Sequence, residues 1–212
     1  MGMTGNFVGM SEDPDVPGPL RPVRDLINTW YGHLAGGGED SMQTPADLAA
    51  FCRAHGVEVA DDEPAPDDVE IARHLREGLR AALAPHTDSA LPVDADALER
   101  LDTATAELPL RVTVVPAGPV LRAQSAGGPR RVLAELVAGA AVASADGTWA
   151  RLKVCHEPRC RTAFYDTSRN NSGVWCSMAA CGTEAKKRAY VERRRARTAA
   201  ARAAQQEAAT VS

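Results

Sequence analysis

Four of the five cysteines form two close pairs: Cys155 and Cys160, then, after fifteen intervening residues, Cys176 and Cys181. Two thiolate pairs joined by a loop suit a tetrahedral metal. Each short spacer lets one turn present two sulfurs, and the loop carries the second pair across the ion. Zinc has no d-electron preference and accepts an all-thiolate shell readily, so zinc is the expected ion. Two disulfides fit less well, because nothing in the chain points to an oxidising compartment. A thioredoxin-type redox pair has two intervening residues, whereas each pair here has four. An iron–sulfur cluster on four thiolates stays open as an alternative. A closed four-thiolate shell leaves no coordination position for catalysis.

The spacing also constrains the backbone. Residues five apart on one helix differ by about 140° around its axis, so Cys176 and Cys181 would diverge on a continuous helix. Cys176 is therefore expected on a strand end or turn, and Cys181 at the beginning of the helix it introduces. Pro158, inside the first pair, suits a rigid turn. His156 is expected to point outward, and Cys52, on an apolar helical face, to be a core thiol.

Beyond Cys181 come Lys186, Lys187, Arg188, Arg193, Arg194, Arg195, Arg197 and Arg202, on a segment rich in Ala and Gln. Read as the runs Lys186–Arg188 and Arg193–Arg195, the charges wrap around a helix rather than forming a one-sided stripe. Tyr190 and Val191 are expected to dock its first turns on the finger. Solvation explains many basic helices, but an excess concentrated beside a zinc knuckle points to phosphate.

The elements that must hold these residues are mostly helical. Residues 1–19, with four Gly and three Pro, read as a disordered leader. Arg24 to Tyr31 is a short apolar element, strand or helix. Thr44-Pro45-Ala46-Asp47 is a helix start, and Leu48, Phe51, Cys52 and His55 share its inner face up to Gly56. A second helix is expected over 67–84, with Ile71, Leu75, Leu79 and Leu83 inward and Pro85 as its stop. A third is expected over 94–107, with Leu98 and Leu101 inward. Arg111–Val115 and Val120–Ala123 flank Pro116-Ala117-Gly118-Pro119 as a β-hairpin. A fourth helix over 129–144 carries Leu133, Leu136, Val137, Ala140 and Ala141 on one stripe. Trp149 is expected to pack between that helix and the finger. The fold class is α+β: a mostly helical N-terminal domain with a small hairpin, then a treble-clef-like four-Cys finger ending in a long basic helix.

Composition sets bounds on partners and compartment. Residues 151–212 hold 13 Lys/Arg against 5 Asp/Glu, a net of +8, while residues 1–150 hold 11 against 23, a net of −12. An acidic body with a basic end makes the overall charge of −4 a poor guide to partners, because the attracting field is local. Of 212 residues 39 are alanine and only 4% are aromatic, so the core has few large anchors. The longest stretch near the middle without a charge or proline, Leu136–Ala145, is about half a membrane span, and the first 22 residues lack a signal-peptide pattern. A soluble, cytoplasmic protein with no membrane partner is expected. An enzyme is not: there is no HExxH, no phosphate-loop Gly-Lys-Ser/Thr and no Gly-x-Ser-x-Gly. His33, His55, His74 and His86 are scattered, and Gly36–Gly38 and Gly127-Gly128 are read as loops outside any strand-to-helix turn.

Residues Leu152-Lys153-Val154-Cys155, Pro158, Cys160, Phe164 to Asn170, Trp175-Cys176-Ser177-Met178-Ala179, Cys181-Gly182 and Ala185-Lys186 resemble the CGNR-type zinc finger of bacterial transcription regulators. The preceding region is similar, more weakly, to the ABATE domain found before that finger, on Asn28-Thr29, Thr44 to Leu48 and the hairpin followed by a helix. The resemblance implies zinc on Cys155, Cys160, Cys176 and Cys181, binding to double-stranded DNA, and a stress-response role in transcription regulation. The boundaries are a leader at 1–19, an ABATE-like domain at 20–147, a finger at 151–196 and a tail at 197–212. Expected DNA contacts are Arg169, Lys186, Lys187, Arg188, Arg193, Arg194 and Arg195, with the acidic domain sensing a small-molecule or protein signal. The chain departs from the family at Thr183-Glu184, where the pattern has Asn-Arg, and at Asn171-Ser172-Gly173-Val174, where arginines are usual. These departures favour the alternative of a protein-interaction adaptor whose finger is purely structural.

Overall fold

A computed structural model describes residues 16–30, 38, 40–57, 64–125 and 127–210, with side chains between 201 and 210 described only at 205 and 206. Most of the expected leader, together with His33 and Gly36-Gly37, lies outside these residues. Its end does not: Val16 is buried and Gly18–Leu20 forms a 3-10 turn, so packed chain begins before residue 20. Among the described residues the elements are α1 Arg21–Ile27, α2 Pro45–Ala54, α3 Pro66–Thr87, α4 Ala95–Ala106, β1 Leu110–Val115, β2 Gly118–Ala123, α5 Gly128–Asp146, β3 Leu152–Val154, β4 Ala163–Tyr165 and α6 Thr183–Thr210. The protein is mostly helical, with two separate two-stranded antiparallel sheets, β1–β2 and β3–β4.

Local chemistry explains most boundaries. The segment left undecided in the sequence is the helix α1. Thr44 and Asp47 form a reciprocal capping box, Thr44 N–H donating to Asp47 Oδ2 at 2.8 Å and Asp47 N–H to Thr44 Oγ1 at 3.3 Å, with Pro45 in the first turn. Asp94 Oδ1 accepts the Ala97 N–H at 2.9 Å to start α4. Pro85 does not stop α3, which continues to Thr87. A proline costs a helix one amide bond and a clash with the preceding turn. Here the extra turn places His86 and Thr87 against β3, and those contacts hold it helical. In the hairpin, Gly118 and Pro119 belong to β2, leaving Pro116 and Ala117 as a two-residue turn.

The core is mainly Leu, Val and Ile with Phe51 and Met42, and small residues set the closest approaches between helices. On α4 the buried positions are Ala97 and Ala104, with Leu108 just beyond, whereas the expected Leu98 and Leu101 are only half-buried. Gly78 of α3 lets the two helices close, since a Cβ there would stand 2.3 Å from Leu101 Cβ and 2.8 Å from the Ala97 carbonyl oxygen. On α5, Val132, Leu133, Leu136, Ala138 and Ala143 are buried, but Ala141 is exposed. The helix is covered by α1, α2 and β2 together, so its buried arc is displaced from the expected stripe. Gly127-Gly128 does stand between a strand and a helix, β2 and α5, although Pro129 withholds one amide from any phosphate cradle there.

Candidate metal centre and its basic helix

Each ligand pair is presented by a different local device. Cys155 follows β3 and Cys160 precedes β4, and the Cys155 N–H donates to Thr162 O at 2.8 Å to close the ladder. Between them the Cys160 and Arg161 amides both donate to the Glu157 carbonyl, and Arg161 takes the left-handed conformation, φ 58°. The second pair lies as its spacing predicts: Cys176 at a bend and Cys181 in a single π turn, Met178–Gly182, that leads into α6. Ser177 starts this turn by accepting the Ala180 amide at 3.2 Å. Gly182 is closely overlaid by its neighbours: a Cβ would meet Met178 Sδ at 2.8 Å and Trp175 Cδ1 at 3.3 Å, so the Met178 side chain would have to move aside.

The four sulfurs lie within 4.8 Å of one another, with Cys155, Cys160 and Cys181 buried and Cys176 half-buried. A tetrahedral zinc–thiolate shell with bonds of about 2.3 Å separates its sulfurs by about 3.8 Å. Cys160 and Cys176 are 3.6 Å apart, and Cys176 and Cys181 are 3.7 Å apart, so one zinc fits. Without a cation this crowding opposes ionisation. Neighbouring Cys155 and Cys160 push the Cys176 thiol far above its ordinary range, and burial, with Cys155 beside it, pushes Cys181 up to about 12. A divalent ion reverses that balance by stabilising every thiolate at once. Cys52 stays apart as a buried thiol on α2, pushed up to about 11 chiefly by burial.

The crossing loop is held by a buried ion pair. Lys153 Nζ donates to Asp166 Oδ2 at 2.7 Å and to the carbonyls of Asn171 and Gly173 at 2.7 and 3.0 Å. Asp166 also accepts the Ser168 and Gly173 amides. Burial would raise the Asp166 carboxyl, but the Lys153 ammonium and these amides outweigh it and hold it far below the usual range. The loop returns to the first knuckle through the His156 N–H, which donates to Val174 O at 2.9 Å. His156 points away from the sulfurs, as expected, with its ring edge-on to Trp175 and Nε2 3.4 Å from Asp88.

The finger is joined to the helical body rather than tethered to it. Leu152, Val154 and Ala163 belong to the same core cluster as α1, α3 and α5. The Asn28 side chain pairs with the edge of β4 in both senses, accepting the Ala163 N–H at 2.7 Å and donating to Ala163 O at 2.9 Å. Thr87 Oγ1 donates to Val154 O at 2.6 Å, and His86 Nδ1 meets Leu152 O at 2.9 Å. Trp149 packs against this core with its ring edge-on to His86 of α3 at 5.8 Å.

Sequence-predicted cations are dispersed in role. Arg169 is exposed at the turn Ser168–Asn171, and Lys186, Arg193, Arg194 and Arg195 are exposed on α6. Lys187 pairs with Glu184 at 2.8 Å. Arg188 is engaged in a bidentate pair with the buried Glu157 carboxylate, at 2.7 and 3.0 Å, so it fastens helix to knuckle. Tyr190 and Val191 do not dock the helix; both are exposed, because the buried Glu157 offers Arg188 a stronger anchor there. The roles of Glu157, Lys153, Asp166 and Asn28 escaped the sequence reading. An acid enclosed between two metal-ligand cysteines, and a Lys on one short strand with an Asp just beyond the facing one, are the signals that would have shown the first three.

A family model for the CGNR zinc finger matches residues 151–194. No curated protein matches the chain. A second family model, ABATE, described as "Putative stress-induced transcription regulator", matches residues 20–147, more than half of the chain, and the chain belongs to that family.

Proposed function

We propose that this protein is a non-enzymatic transcription regulator that binds double-stranded DNA through its zinc finger and α6, while its acidic N-terminal domain receives the signal. The observation that carries the reading is the exposed basic helix, leaving the four-Cys centre in a segment of net charge +8. Such a field attracts phosphate and releases counterions on binding. Four thiolates fill a tetrahedral shell, which supports a structural and not a catalytic metal. For the signal, a groove of about 760 Å³ beside α5 and the hairpin is lined by Val120, Leu121, Val132 and Leu136, with Arg122 and Arg131 at its side. An apolar cleft with few polar groups is the usual form of a small-molecule site. Cytoplasmic localisation belongs to the same proposal; among the described residues, no helix is long and apolar enough to cross a membrane.

The adaptor reading draws support from the shared core of finger and body, which gives β3 and β4 a bracing role whether or not DNA binds. Titration of zinc-loaded protein with unrelated duplex DNA at several salt concentrations separates the two. Salt-dependent binding supports the regulator, and its absence leaves the adaptor.

A further inference from the structure

The Arg188–Glu157 pair fixes more than the position of α6; it fixes which side of the helix faces outward. At about 100° per residue, Lys186, Lys187, Tyr190, Arg193, Arg194 and Arg197 fall within one sector of about 120°. Glu184, Ala185, Arg188, Ala189, Glu192 and Arg195 fall in the opposite sector. Burial agrees with this division only in the first turns, where Glu184, Ala185 and Ala189 are half-covered and Lys186, Lys187 and Tyr190 are exposed; Arg188 is exposed as well, and from 191 to 200 every residue, Arg195 included, is exposed, so there helix periodicity alone sets the two sides. The charge runs Lys186–Arg188 and Arg193–Arg195 conceal the stripe, because each donates its last member to the docked side. Lys186, Arg193, Arg194 and Arg197 make no ion pair among the described residues. Tyr190, 60% exposed, stands among them on the same side of the helix.

Resting on the DNA-binding reading above, we propose that this stripe is the duplex-contacting surface and that Glu157 is a positioning residue for it. Five cations spread along about 17 Å of helix, at about 1.5 Å per residue, present a linear row to the phosphates of a duplex. The Tyr190 hydroxyl adds a donor suited to a phosphate oxygen. Arg188 and Arg195 are outside this surface. Glu157 acts through Arg188: its buried carboxylate holds the guanidinium on the knuckle side and so turns the five cations away from the finger.

The test compares Arg197→Ala with Arg195→Ala in the zinc-loaded full chain. Both remove one positive charge, two residues apart, from opposite sides of one helix. Binding to a mixed-sequence duplex is followed by fluorescence anisotropy over a range of salt. Arg197→Ala should weaken binding and reduce the slope of log K against log salt by about 0.9, the loss of one phosphate contact, while Arg195→Ala should leave the slope unchanged. In a Glu157→Gln background, with zinc content verified, the Arg195→Ala effect should grow toward that of Arg197→Ala. Should Glu157→Gln lose zinc, Arg188→Gln breaks the same pair from the helix side and must give the same convergence. Equal effects of Arg195 and Arg197 in the otherwise native chain overturn the stripe but leave DNA binding standing. Wild-type protein with no salt-dependent duplex binding overturns the underlying reading itself.

Discussion

Cys176 is a ligand by its position between two other sulfurs, while Cys52 is remote from them and buried on α2. Elemental analysis should therefore find one zinc per chain in wild type and in Cys52→Ser, and zinc lost from Cys176→Ser. Loss of the metal should also unfold the finger locally, because metal binding supplies folding free energy to such sites. Asp166 contributes to the acid sensitivity of the fold. Its carboxyl lies below its ordinary value, so its contribution to stability is complete above about pH 4 to 5 and fades as pH falls toward the native value. Asp166→Asn leaves the Lys153 ammonium buried without its counter-charge, a loss of about 3–5 kcal/mol at neutral pH. The gap between wild type and this variant in denaturant titrations should narrow below pH 4; a gap that widens in acid would contradict the assignment. The metal ligands were legible from spacing alone. Lys153 and Asp166 were visible only as letters in a motif, since nothing local in either strand announces that a buried ammonium must be satisfied by a loop thirteen to twenty residues on.

At the scale of elements, helix starts were the readable part, because a cap is made by residues within one turn of each other. Helix faces were read less well where small residues decide the packing. The periodicity of α4 points to its leucines, which are half-buried, whereas Ala97 and Ala104 are the buried positions and Gly78 on another helix lets α3 close on Leu101 and Ala97. Gly78→Ala therefore pits a helix-propensity gain of up to about 1 kcal/mol against overpacking of about 1–3 kcal/mol, and the crossing backbone at Ala97 limits relief. A net destabilisation is expected, seen as a lower urea midpoint with an unchanged slope; a raised midpoint would show that α3 and α4 can separate freely. Pro85 shows the same dependence on context. The sequence marks it as a stop, and the docking of His86 and Thr87 on β3 overrides it.

At the scale of the whole molecule, the strands of the finger and the helical domain share one core, while the four cysteines pack with Trp175 in a small cluster of their own. The charge boundary near residue 150 is real in the sequence, yet it does not mark a mechanical joint, because Leu152, Val154 and Ala163 pack inward and Asn28 completes the edge of β4. Asn28→Ala removes both bonds to Ala163 and should cost about 1–3 kcal/mol, with faster hydrogen exchange at the Ala163 amide while zinc is retained. Unchanged exchange there would place the joint elsewhere. If the zinc-held structure presents a cationic helix to duplex DNA, equilibrium titration of the full chain with a mixed-sequence duplex across a range of salt, with and without zinc, will show it. Five stripe cations at about 0.9 each predict that log K falls against log salt with a slope of about −4 to −5, and that chelation of the zinc abolishes the binding. Absent or salt-independent binding by the zinc-loaded protein would contradict it.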